Sequence, residues 1–530
     1  MCIRDRDDMA NTTFDSPERT PLTERFEEAM EALVKLNFGD TDAAQFGNAL
    51  ILDGIQKGDR VAICMQNNPE FIFAYIGIVS IGAVCVPLNS WWVADEIKYA
   101  LEHSDAKVII GDIKRLQGLE DVKDLKKIIT SYTPNDNFLS FKDYVKDHPK
   151  TLNEVEIKRD DNATIYYTSG STGKPKGVLS SHRGIISTMF SWACISKILT
   201  ERENRLGNDA APLTDPDLSI LLCVPLFHVT GSHVAFLMSV LVGRKVVMMK
   251  KWDAGEAIKL ISKEKISDIT GVPTQTWELL NHPDKDNYDL SSLKTLAGGG
   301  GPRPAEHVKM LDDNFEGRPG IGYGLTETNA IGTLVTGDDY VSNPSTAGRV
   351  VPPLTEIKIL DENWNELEEG KIGEIAIKSQ CNMVGYWKNE KATKECMNEE
   401  GWFKSGDLGK FDGPFLYILD RIKDMVIRGG ENIACPEVEG AIYEHPDVLE
   451  ASVFGIPDER LGEKLATRIS LNPGAELSEE DLSSFLAAKI AKFKIPEYTW
   501  FQAEELPKVA AGKIAKKQMR EDAIKELGLD

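Results

Sequence analysis

From Asp59-Arg-Val-Ala-Ile-Cys-Met65 onward, short β-branched runs alternate with stretches of helical periodicity. Ala106-Lys-Val-Ile-Ile110, Ile220-Leu-Leu-Cys-Val224, Lys245-Val-Val-Met-Met249 and Asp268-Ile-Thr-Gly271 are such runs. This alternation implies parallel sheets covered by helices. Glu356-Ile-Lys-Ile-Leu360 and Gly373-Glu-Ile-Ala-Ile-Lys378 read as a smaller, partly antiparallel β module. The tail from Glu431 to Asp530 mixes helices with strands such as Glu450-Ala-Ser-Val-Phe454 and Ala466-Thr-Arg-Ile-Ser470. The expected class is α/β. A large N-terminal domain of helix-covered, largely parallel sheets carries a small β module, and a small mobile α+β domain comes after it.

The run from Phe71 to Leu88 carries no charge and is long enough to span a bilayer. It reads better as a buried helix broken at Gly82 and a buried strand ending at Pro87. Ahead of it, a polar tail runs into an amphipathic helix from Leu22 to Leu33. Residues 1–8 are charged, lack the apolar stretch of a signal peptide, and read as foreign to the rest of the chain, with Met9 as the expected start.

At 530 residues the chain exceeds one simple core. Its 42% hydrophobic and 27% charged residues are those of a soluble globular protein. A net charge of −23 argues against a nucleic-acid partner, which needs a basic face. Eight cysteines without C-x-x-C spacing read as free thiols of a reducing cytoplasm. A polyanionic ligand would therefore need a local basic island.

Tyr166-Tyr-Thr-Ser-Gly-Ser-Thr-Gly-Lys-Pro-Lys-Gly-Val178 offers one. Glycines let a backbone approach a ligand, and successive amides and hydroxyls donate to phosphate oxygens. Lys174 and Lys176 add positive charge. It is not a Walker A loop, because Pro175 follows Gly173-Lys174 where that motif needs Ser or Thr opening a helix.

The run resembles the signature loop of the adenylate-forming superfamily, which includes acyl-CoA synthetases and other AMP-dependent ligases. The resemblance continues in the family's order through Pro225-Leu-Phe-His-Val-Thr-Gly231, Gly299-Gly-Gly-Pro302, Gly322-Tyr-Gly-Leu-Thr-Glu-Thr328 and Gly385-Tyr-Trp387. It ends with Gly401-Trp-Phe-Lys-Ser-Gly-Asp-Leu-Gly409, Asp420-Arg-Ile-Lys-Asp424, Gly429-Gly-Glu-Asn-Ile433 and Pro507-Lys-Val-Ala-Ala-Gly-Lys513. It covers nearly everything from about Phe38 to the C-terminus. The implied organisation is a tail over 1–37, a large AMP-binding domain over 38–421, and a lid over 422–530 hinged at Lys423.

The resemblance implies a two-step ligase. A carboxylate is a poor acyl donor, and joining it to AMP makes an anhydride that the thiol of coenzyme A can attack. The first step brings two anions together, so it needs fixed cations and hydrogen-bond donors. On the family pattern, Thr168, Ser169, Gly170, Ser171, Thr172, Gly173 and Lys176 hold the ATP phosphates. Thr326 contacts the α-phosphate and Glu327 ligates Mg²⁺, a cation suited to carboxylate oxygen. Gly299, Gly300 and Gly301 form one side of an adenine slot, and Gly322, Tyr323 and Gly324 the other. Asp407 and Arg421 take the ribose hydroxyls. Lys513 neutralises the transition state of adenylation. Gly429 and Gly430 line a pantetheine tunnel after the lid rotates.

Two positions depart from the family pattern. Ile321 stands where a Gln is common, which would remove a polar contact from the slot, and Ala511 replaces a Thr. His228 follows Pro-Leu-Phe where amino-acid-activating relatives generally have Asp, which points to an acid without an α-amino group, with a core histidine as the alternative reading. The residues Val229, Thr230, Gly231, Ser232, Ala297 and Gly298 are small and would leave room for the acid. The expected substrate is a fatty or other apolar acid, with an aryl or short functionalised acid as alternative. A further alternative is an adenylate-binding protein of little turnover. Chain length, pathway and oligomeric state are not legible, and no carrier-protein segment follows residue 530.

Overall fold

The computed structural model describes residues 42–529 apart from 120–121, 123–124, 126, 131–137, 169–173, 208–214, 216, 430 and 510–511. The expected tail, the helix over 22–33 and Met9 lie outside the described residues, as do Ser169 to Gly173, Gly430 and Ala511.

An eight-stranded sheet carries, in spatial order, Gly385–Tyr386, Lys176–Ser181, Asn162–Thr168, Val84–Pro87, Arg60–Cys64, Ala106–Gly111, Lys127–Thr130 and Leu139–Ser140. From Asn162–Thr168 to the far edge the neighbours run parallel. Its central strands are apolar without alternation because both faces are covered, and Val61, Ala62, Ile63 and Cys64 are all buried. The other edge is antiparallel, because the stretch between Thr168 and Lys176 has too few residues for the crossover that a parallel pair needs.

The uncharged run lies within this layer. Pro69–Ser80 is a helix with Pro at its first turn, Gly82 turns the chain at φ +71°, and Val84–Pro87 is a fully buried strand. Helix Asp42–Leu52 packs so closely that a Cβ on Gly77 would lie 2.6 Å from the Ala43 carbonyl oxygen. No helix among the described residues is long and apolar enough to cross a membrane.

A second sheet of seven strands has parallel neighbours from Lys245–Met248 through Ser219–Leu222, Asp268–Gly271 and Thr295–Gly299 to Arg318–Gly324. Gly332–Thr336 and Arg349–Val350 close it antiparallel. The β module is a four-stranded antiparallel sheet of Thr355–Leu360, Gly373–Ser379, Trp402–Asp412 and Phe415–Arg421.

Ile422 to Asp424 form a turn closed by amides bonding to the Arg421 carbonyl, and Lys423 is exposed on it. Beyond it stands a fourth sheet with helices Cys435–Tyr443 and Lys516–Glu526. Its core of Val426, Ile433, Val438, Ile442, Val453, Leu465, Ile469, Leu482 and Leu486 draws only on this last segment. A core of its own is what allows such a segment to move as a body.

One element has no forerunner in the periodicity of the chain. Thr230–Leu237 winds as a π-helix, a form that concentrates at functional sites.

Candidate active site

Thr168 and Lys176 face each other as the last paired residues of an antiparallel hairpin. Lys176 Nζ sits 4.8 Å from the centroid of the Tyr386 ring, and Lys174 Nζ lies 5.1 Å from that of Tyr99. Both ammonium groups are held by aromatic faces, which attract cations.

Glu327 occupies the short helical turn Thr326–Thr328 after the Arg318–Gly324 strand and is buried, while Thr326 is partly exposed. Tyr386 Oη donates to Glu327 Oε1 at 2.8 Å. Burial pushes the Glu327 carboxyl up, opposed by that hydrogen bond and by the charges of Arg421 and Lys176. A buried carboxylate with an oxygen to spare suits a hard cation. Among the described residues no group of three or more His, Cys, Asp or Glu could hold a metal.

Asp407 and Arg421 are cross-strand partners of the β module. Arg421 Nε lies 3.5 Å from Asp407 Oδ1, and Tyr323 Oη donates to Asp407 Oδ2 at 2.7 Å. Burial raises the Asp407 carboxyl, against the Tyr323 bond, Arg421 and Lys513. The half-exposed guanidinium leaves donors for a ligand.

The glycines lie where strands meet. Gly299 and Gly322 are register partners, and a Cβ on Gly299 would lie 3.1 Å from the Gly322 oxygen. Gly324 passes close to the Ala330 backbone, at 2.6 Å from an added Cβ. Gly300 turns with φ +77°, and a Cβ there would sit 3.2 Å from Lys513 Nζ. Gly301 has no described atom within that reach.

Lys513 thus reaches from the small domain to the glycine turn of the large one. Burial pulls its ammonium down to about 8, with Arg421 adding to the fall and Asp407 opposing it. His228 shares this neighbourhood. Burial lowers it to about 4, and the Lys513 charge contributes, so the imidazole is neutral at pH 7. Its Nε2 is buried without a partner among the described residues.

Gly429 is not part of this gathering. It sits at φ +61° in the turn of the Val426–Arg428 and Glu431–Ile433 hairpin, with its amide on the Leu461 carbonyl.

One expectation needs correction. The small residues after His228 and before Gly299 do not all leave open room. A Cβ on Gly231 would strike the Pro225 oxygen at 2.2 Å, and one on Gly298 would meet Arg303 Nη2 at 2.7 Å. Both glycines make way for the chain's own atoms. Ile321 packs with Val308, Val335 and Tyr340 in a buried cluster, so its side chain serves the core.

Tyr386 received no role from sequence although it lies in the Gly385-Tyr-Trp387 motif; its place in that motif was the available signal. Trp192 was missed entirely. It sits 3.5 Å from a Cβ built on Gly322, in a cluster with Met189, Met238, Ile331 and Val351, and no short motif marks it.

Residues 35–387 match the family described as AMP-binding enzyme, and residues 437–513 match the AMP-binding enzyme C-terminal domain. The chain belongs to this family, the adenylate-forming superfamily. It is 32% identical over 523 residues to a putative acyl-CoA synthetase, YngI, of Bacillus subtilis, covering 92% of each chain. It is 33% identical to the long-chain-fatty-acid–CoA ligase FadD13 of Mycobacterium tuberculosis, over 88% of this chain and 89% of that one. The anthranilate CoA ligase AuaEII, solved in complex with anthranoyl-AMP, superimposes with a TM-score of 0.84 at 26% identity over 92% of each chain.

Proposed function

We propose that this AMP-forming acyl-CoA ligase activates a fatty or other apolar carboxylic acid as its adenylate and passes the acyl group to coenzyme A. The observation that carries the reading is Lys513. Its ammonium lies against Gly300, beside His228 and in the field of Asp407 and Arg421, at the meeting of the two domains. A cation there neutralises charge that develops as the acid attacks the α-phosphate of ATP.

In the proposed arrangement the loop from Thr168 to Lys176 cradles the outer phosphates, Thr326 bonds the α-phosphate, and Glu327 helps hold Mg²⁺. The magnesium would draw charge from the phosphates and leaving pyrophosphate. Asp407 and Arg421 take the ribose, with the base between the two glycine segments and Tyr323. His228 stays neutral and lines the acid's carboxylate end. Rotation at Lys423 would then withdraw Lys513 and bring the Gly429-Gly430 segment to the pantetheine arm.

Trp192, close to Gly322 and backed by the apolar cluster of Met189, Met238 and Ile331, supports an apolar acid. The resemblance to FadD13 points the same way. An aryl acid is the second reading, favoured by one detail. The Trp192 indole N–H is buried without a partner among the described residues and could donate to a ring substituent.

Pyrophosphate release with ATP, Mg²⁺, CoA and a panel of fatty, aryl and short acids tests this, with Lys513→Ala alongside. Release that needs one acid class and collapses in the variant is the expected result. Silence across the panel with ATP still bound would favour a nucleotide-binding protein of little turnover.

A further inference from the structure

The Lys513 hairpin is fastened to the large domain by one helix. Within the hairpin, Val509 N–H donates to the Lys513 carbonyl at 2.7 Å, and Lys508 pairs with Ile514. Helix Pro273–Leu280 presents Thr274 and Glu278 to it, and the three- and four-residue spacing puts Trp277 on the same helix face. Thr274 Oγ1 donates to the Gly512 carbonyl at 3.1 Å, next to Lys513. Gly512 turns at φ +77°, where a Cβ would lie 3.1 Å from Val272 Cγ2.

Glu278 Oε1 is 3.1 Å from Lys508 Nζ, which also meets Glu450 at 3.1 Å and Glu505 at 2.9 Å within the small domain. Burial alone would lower the Lys508 ammonium, but these three carboxylates hold it well above its ordinary value. The pair to Glu278 crosses between domains. Trp277 completes the face. Its ring stacks on His307 at 3.7 Å and 9°, and Tyr443 of the small domain meets His307 edge-on at 5.5 Å.

We propose that Thr274, Trp277 and Glu278, with His307, form a docking seat that sets Lys513 at the Gly300 turn. They are positioning residues for adenylation. They do not serve thioester formation, for which the hairpin must leave. The inference rests on the adenylating role given to Lys513 above. The seat holds the backbone just before that lysine and, through the Lys508 side chain, the strand paired with the residue after it, so a small loosening displaces the ammonium from the α-phosphate. A 1 Å misplacement of a catalytic group is enough to cost about 100-fold.

The test separates the half-reactions. Glu278→Gln keeps the shape and still accepts from the Trp252 indole, while removing the charge that faces Lys508. Thr274→Val removes one hydroxyl. ATP–pyrophosphate exchange is measured with whichever panel acid the native enzyme turns over best. Thioester formation is measured from CoA and the preformed adenylate of that acid. Exchange is expected to fall about 10- to 100-fold in Glu278→Gln, and by less in Thr274→Val. Thioester formation should stay within about twofold or quicken, because the opposing orientation is favoured. Equal losses in both steps, or unchanged exchange in both variants, would overturn the seat. Lys513→Ala is run beside them. If it exchanges fully, the reading of Lys513 fails and the seat with it; if it is silent while Glu278→Gln is normal, the seat alone fails.

Discussion

Tyr386 donates its hydroxyl proton to Glu327 across the junction of two sheets. The same ring carries the Lys176 ammonium on its face. One tyrosine of an edge strand therefore fixes the anion proposed for Mg²⁺ and the main cation proposed for the phosphates.

Tyr386→Phe keeps the ring for Lys176 and removes the bond to Glu327. A hydrogen bond to a buried charge contributes about 1.5–3 kcal/mol, so the half-saturating Mg²⁺ concentration should rise roughly 10- to 100-fold. The pH dependence has a definite sign. Burial already raises the Glu327 carboxyl, and losing a donor raises it further. Protonated Glu327 cannot bind Mg²⁺, so activity should fail on acidification at a higher pH in the variant than in the native enzyme. Mg²⁺ titrations of pyrophosphate release at several pH values check both points.

Asp407 already accepts from Tyr323 and pairs with Arg421, which aims it and opposes the rise that burial imposes on its carboxyl. If it receives ribose hydroxyls, the native enzyme should prefer ATP to 2′-deoxy-ATP. Asp407→Asn should lose about 10-fold or more in kcat/KM for ATP and much less for the deoxy analogue. An equal loss for both nucleotides would place Asp407 away from the ribose.

Much of this arrangement was legible because each piece has a local signature. The parallel sheets followed from unbroken apolar strands such as Arg60–Cys64, and the break at Gly82 from a glycine at positive φ between apolar runs. Asp407, Arg421 and Lys513 sat in recognisable motifs. What escaped depends on distant packing. Trp192 acquires meaning only when its helix lies against Gly322, and the space before Gly231 is filled by the carbonyl of Pro225. The docking helix shows a common amphipathic pattern. Its role appears only when Lys508, 230 residues later, is folded against Glu278.

The close approach at Gly231 predicts a stability effect separable from chemistry. Gly231→Ala forces a methyl group to within 2.2 Å of the Pro225 oxygen, and backbone must move. Overpacking of this kind costs about 1–3 kcal/mol, so Tm should drop by roughly 1–4 °C in a domain of this size. Gly301→Ala, with no described atom within 4 Å of the new methyl, should melt within about 1 °C of the native protein. Thermal melts of the two variants make the comparison, and equal melting would contradict the packing at Gly231.

Lys513 gives the adenylation step an alkaline limit. Burial and Arg421 bring its ammonium down to about 8, and only the charged form can neutralise the reacting phosphate. In the free enzyme the cation is present below that value and lost above it. The kcat/KM for ATP in pyrophosphate exchange should therefore fall as pH rises through about 8. Bound triphosphate favours the ammonium, so the limit for kcat should lie at higher pH than the limit for kcat/KM. Lys513→Arg keeps a cation at every pH used and should abolish the limit near 8, at a cost in rate because the planar fork does not reproduce the ammonium's geometry. Lys513→Ala should lose at least about 100-fold in exchange across the whole range. A native profile flat to pH 10, with Lys513→Ala still active, would remove Lys513 from the reaction.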